Sequence, residues 1–81
     1  MNKFPSQETV LALRRQYPKG ARVALVRMND PYTKLRPGDL GTVDFIDDAG
    51  SIFCIWDNGS KLGVAYGEDE ICIFKNADAV D

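Results

Sequence analysis

Histidine is absent from this chain, and cysteine occurs only twice, at Cys54 and Cys72. Without an imidazole, nucleophile–base catalysis lacks its commonest base. Two cysteines and no histidine cannot supply the four nitrogen and sulfur ligands of a structural zinc site within one molecule. Two are also too few for a disulfide framework. Both lie in apolar runs, so we read them as buried free thiols. No apolar run reaches the roughly 18 residues that would span a bilayer. The opening, Met1-Asn2-Lys3-Phe4-Pro5-Ser6-Gln7-Glu8, carries no apolar h-region. We therefore expect no signal peptide, no membrane association and a cytoplasmic location.

What is present fits one small domain: 81 residues, 44% of them hydrophobic and 27% charged. The net charge of −2 hides a lopsided distribution. Up to Gly38 there are eight cations against two acids, and from Asp39 onward two cations against ten acids. Such asymmetry can mark a partner face. If the two halves lie side by side, the signs instead neutralise each other, and mixed surface charge favours this second reading.

The hydrophobic period divides the chain. Residues 6–17 read as a helix: Pro5 sets its start, Ser6 is the expected N-cap, and Glu8 suits the positive end of the dipole. Ser6 and Thr9 have capping-box spacing, although Thr9 is neither Glu nor Gln. Val10, Leu13 and Tyr17 form one stripe, with Leu11 beside it. Arg14 and Arg15 fall in the last turn, and Pro18 stops the helix. A helix this short must dock on something. From Arg22 the pattern alternates, giving expected strands over 22–28, 41–47, 51–56, 61–65 and 71–74. Residues 1–5 then form an arm, 18–74 the body and 75–81 a patternless tail. The fold class expected is all-β: a small five-stranded barrel preceded by one short N-terminal helix.

Turn chemistry sets the registers. Pro37-Gly38 reads as the centre of a type II turn. A three-residue loop Asp57-Asn58-Gly59 places Trp56, Cys54 and Ile52 opposite Ser60, Leu62 and Val64, gathering the large apolar groups on one face. In the preceding hairpin, a three-residue loop Asp48-Ala49-Gly50 would set Asp44 opposite Cys54 and aim a carboxylate inward. A four-residue loop Asp47–Gly50 pairs Phe45 with Ile52 and Val43 with Cys54, and is preferred because an unpaired buried carboxylate is costly. With Ile52, Cys54 and Trp56 inside, Phe53 and Ile55 must face out. Either the helix stripe covers them or they form a contact surface.

The runs Tyr17-Pro18-Lys19-Gly20-Ala21-Arg22-Val23, Met28-Asn29-Asp30-Pro31-Tyr32, Pro37-Gly38-Asp39-Leu40-Gly41-Thr42-Val43, Trp56-Asp57-Asn58-Gly59-Ser60, Leu62-Gly63 and Gly67-Glu68-Asp69 resemble a bacterial and phage family, domain of unknown function 4314. The resemblance covers nearly the whole chain to Phe74 and implies an SH3-like barrel, often in phage and mobile-element settings. It carries no assigned activity. Phe53 and Ile55 stand where polar outward residues are expected in relatives, so this outer face is expected to be specialised. The Pro-Gly-x-x-Gly-x-Val turn is also similar to that of KOW-type domains that touch RNA, a likeness of fold alone.

Catalysis is not expected. Cys54 lies among Ile52, Phe53 and Ile55, an apolar setting that disfavours a thiolate. Asp47-Asp48 and Glu68-Asp69-Glu70 read as solvated turn residues. No calcium-loop or phosphate-loop pattern occurs, and no cofactor is expected. The expected function is that of a small non-catalytic module that binds a protein, with Phe53, Ile55 and Tyr66 as apolar anchors, in the role of a phage or mobile-element accessory protein or an inhibitor of a host system. Two alternatives stand beside it. One is nucleic-acid binding through Arg14, Arg15, Arg22, Arg27, Lys34 and Arg36 with Tyr17 or Tyr32 stacking on bases, against which the acidic pI near 5.0 weighs. The other is a structural homodimer through the outer face or an open edge.

Overall fold

A computed structural model describes residues 5–29 and 32–74. Most of the expected arm (residues 1–4), the turn residues Asp30 and Pro31, and the tail at 75–81 lie outside the described residues. The chain folds in the order α1 (Gln7–Gln16), β1 (Arg22–Arg27), β2 (Leu40–Ile46), β3 (Ile52–Trp56), β4 (Lys61–Val64) and β5 (Glu70–Ile73). Ser6 caps α1, its Oγ accepting from the Thr9 amide at 3.2 Å. The Thr9 hydroxyl lies 3.0 Å from the Ser6 Oγ, a bond between the two side chains, whereas the carboxylate of a full capping box reaches the N-cap amide.

All five strands pair antiparallel in the order β4-β3-β2-β1-β5. The sheet is open, with β4 and β5 as its edges, so the expected closure into a barrel is not found among the described residues. β4 pairs with β3 and β5 with β1, and among these residues no ladder joins the two edges. The helix and loops cover the inner face instead.

The inner face holds Val23 and Leu25 of β1, Val43 and Ile46 of β2, Ile52, Cys54 and Trp56 of β3, Val64 and Ile71, with Leu35 from the β1–β2 loop. Trp56 is its largest member, 1% exposed, with its Nε1 donating to the Leu62 carbonyl at 3.1 Å. The indole packs against Gly41, directly opposite on β2, where a Cβ would stand 2.7 Å from the ring. Tyr17 is buried in this core and Leu13 packs against it, so α1 docks on the inner side. Arg14 fastens it there, its Nη2 donating to the Ile46 carbonyl at 2.9 Å.

The β3–β4 hairpin has the expected register, Ile52 opposite Val64 and Cys54 opposite Leu62, around a loop whose Gly59 sits at φ +94°. Gly38, at φ +95°, takes the left-handed position after Pro37. The β2–β3 hairpin corrects the sequence reading. Val43 lies opposite Cys54 as expected, but Phe45 lies opposite Phe53 and Ile46 opposite Ile52. Asp44 is an extra residue in β2, a bulge that lets the two weighed registers coexist on either side of it. Near the turn the three-residue loop prevails, with the Asp47 amide donating to the Ser51 carbonyl at 3.1 Å. Beyond the bulge the other register holds, and no carboxylate is driven into the core. Ile46 therefore occupies the inner position expected for Phe45, which turns outward.

Candidate functional site

The bulge builds an apolar strip on the outer face. Phe45 and Phe53, cross-strand neighbours on β2 and β3, stack with ring centroids 4.6 Å apart and planes 15° from parallel. Ile55, two residues along β3, continues the strip between Thr42 on β2 and Lys61 on β4. Phe53 lies over Gly63 of β4, where a Cβ would come within 2.9 Å of its Cε1. Phe45 is 52% exposed and Ile55 45% exposed, while Phe53 is half-buried beneath its neighbours. No part of α1 covers these residues, because its apolar stripe is spent on the inner side. Sequence reasoning named Phe53 and Ile55 but placed Phe45 in the core. The signal for it was the rejected three-residue loop, whose near-turn register sets the two phenylalanines side by side.

Polar pairs flank the strip. Arg22 on β1 forms a two-pronged pair with Asp57, at 2.9 and 2.7 Å, and also donates to the Thr42 hydroxyl at 2.9 Å. Its guanidinium holds the Asp57 carboxyl below the usual range, and Arg22 is held above its own. Lys19 reaches Asp44, the bulge residue, at 3.4 Å. An apolar centre with a charged border is the ordinary anatomy of a protein contact surface.

Tyr66 is elsewhere. It belongs to the β4–β5 loop and lines a cleft of about 200 Å³ on the inner side, beside Leu13, Tyr17, Gly50, Ile52 and Val64. The structure therefore separates it from Phe53 and Ile55. Burial pushes the Tyr17 phenol up, with Cys72 and Glu70 adding to the effect.

Among the described residues three basic side chains are paired with acids. Arg14 pairs with Asp48 at 3.1 Å, so that Arg14–Asp48, Lys19–Asp44 and Arg22–Asp57 each join the cationic half of the chain to its acidic half. Arg27 stands opposite Glu70 across the β1–β5 ladder. Arg15 is exposed on α1, and Lys34, Arg36 and Tyr32 are exposed in the β1–β2 loop.

Cys54 is buried, and loss of solvent, with Asp44 nearby, pushes its thiol up to about 11. Such a group stays protonated at neutral pH. Cys72, expected to be buried, is exposed: it lies opposite Ala24 on β5, an edge strand with solvent on its outer side. The flagged acids serve turns. Asp47 Oδ1 accepts from the amides of Ala49 and Ser51 at 3.0 and 2.9 Å. Asp69 accepts from the amides of Asn29 and Ala65 at 2.8 and 2.9 Å. Among the described residues no three His, Cys, Asp or Glu side chains gather as metal ligands, and no helix is long and apolar enough to cross a membrane.

No curated protein and no solved structure matches the chain. A family model does, that of domain of unknown function DUF4314, over residues 6–74. This span runs from the N-cap of α1 to the residue after β5 and takes in every element described above, so the chain belongs to the DUF4314 family.

Proposed function

We propose that the protein is a non-catalytic protein-binding module whose contact surface is the outer strip of Phe45, Phe53 and Ile55. One observation carries this reading. A stacked aromatic pair, with Phe45 exposed and Phe53 half-buried beneath it, and an exposed neighbouring isoleucine stand on the sheet face opposite the helix. Burying such groups against a partner is worth about 25 cal/mol per Å² of apolar area before the costs of association. Aromatic anchors ringed by charge are where interface energy concentrates. The cross-half ion pairs weigh against the nucleic-acid alternative, since they occupy Arg14 and Arg22. We read the meander, with its first and last strands adjacent, as an SH3-like sheet left open. The setting as a phage or mobile-element accessory rests on the family resemblance.

The test pairs capture with stability. Immobilised protein is expected to retain a specific host protein, and the double variant Phe53→Ser, Ile55→Ser to lose it while keeping a cooperative melt. Equal capture by a folded double variant removes this function. Light scattering that shows a dimer dissociated by the same substitutions transfers the surface to a second copy.

A further inference from the structure

The sheet's failure to close leaves β4 with a usable edge. The Trp56 amide donates to the Ser60 carbonyl at 2.8 Å, which makes Trp56–Ser60, and by alternation Cys54–Leu62 and Ile52–Val64, the hydrogen-bonded pairs of the hairpin. Leu62 and Val64 thus turn their backbone groups toward β3. The amides and carbonyls of Lys61 and Gly63 point the other way, out of the sheet. Lys61 is exposed and Gly63 is half-buried.

Two features border this edge. On the outer side Gly63 has no side chain, so the Phe53 ring lies across it with nothing of β4 in the way. On the inner side a cleft of about 250 Å³ runs between β4 and Met28-Asn29, bounded also by Leu62, Glu68 and Asp69. Both Asp69 oxygens are taken by backbone amides. Glu68 is exposed and makes no ion pair among the described residues, leaving one carboxylate at the cleft rim.

We propose that β4 accepts an extended segment of a partner protein as a sixth strand, read by its alternation. The segment's main chain bonds to Lys61 and Gly63. Its outward side chain is apolar and packs on Phe53 across Gly63. Its inward side chain is lysine or arginine and enters the cleft toward Glu68. The inference rests on the protein-binding reading and adds the mode of binding. A second copy of β4 fits less well, because its inward residues, Leu62 and Val64, offer nothing to the Glu68 carboxylate.

A random linear-peptide library selected on the intact protein tests it, with amide exchange as the readout. Selected peptides are expected to alternate apolar and basic residues and to slow exchange at Lys61 and Gly63 by about tenfold or more. Methylating alternate peptide nitrogens should abolish binding while leaving the protein untouched. Glu68→Gln should lose the preference for a basic residue. A library without binders, helical binders, or binders that leave both amides unprotected overturn the proposal, as does protection that grows with protein concentration alone. If unprotected binding is still lost in Phe53→Ser, the edge falls while the outer strip stands as a protein contact.

Discussion

The two faces of the sheet use the same local device to opposite ends. On the inner face an indole lies on Gly41, and on the outer face a phenyl ring lies on Gly63, with hypothetical Cβ contacts of 2.7 and 2.9 Å. The contacts are nearly equal, yet the surroundings differ. Trp56 is enclosed by core aliphatics and tied through its Nε1 to the Leu62 carbonyl. Phe53 is half-buried, stacked on a Phe45 that is itself exposed. A glycine under an aromatic ring is thus a packing requirement where the ring cannot move, and room for close approach of a ring at the surface where it can.

Substitutions at the rings test the contrast most severely. Trp56→Ala should cost about 3–5 kcal/mol, the range for a large aromatic lost from a packed core, and bring this small domain close to unfolding. Phe53→Ala should cost about 1 kcal/mol, mostly the lost stacking on Phe45. Urea titration of both variants measures the gap, and equal losses would mean that the outer ring is core after all. The glycines follow. Gly41→Ala forces a methyl group against an immobile indole and should cost about 1–3 kcal/mol. Gly63→Ala meets a ring with room to swing and gains from a stiffer unfolded chain, so it should stay within about 0.5 kcal/mol of the parent.

The smallest expected effect concerns the border of the outer strip. Arg22 depresses the Asp57 carboxyl, so the stability from this pair is fully present above the unfolded value of about 3.9 and is lost as pH falls through the lower folded value. Asp57→Asn should remove that acid-side decline from the melting-temperature profile and change little at neutral pH, because both partners are substantially exposed. An unchanged acid limb would show that the pair is not held in solution.

Much of the fold was legible because short-range chemistry fixes it. Ser6, Pro18 and the Val10/Leu13/Tyr17 stripe defined the helix, and Asp57-Asn58-Gly59 defined one hairpin register to the residue. The β2–β3 hairpin was half legible. Turn preference and carboxylate burial argued for different registers, and the chain satisfies both by inserting Asp44, an option that a choice between uniform ladders cannot contain. Phe45 was misplaced for that reason alone. Closure of the sheet, the side on which α1 docks, and the positions of Tyr66 and Cys72 depend on how distant elements meet, and no local pattern encodes them. At the candidate site, alternation alone turned Phe53 and Ile55 outward, whereas their third companion required the bulge.

The ion pairs that stitch the cationic first half to the acidic second half have a practical corollary. A fragment ending near Gly38 would carry its positive charges with almost no internal counterweight and would stick to polyanions at low salt. Nucleic-acid retention by such a truncated piece would report the missing acidic half, not an activity of the intact molecule.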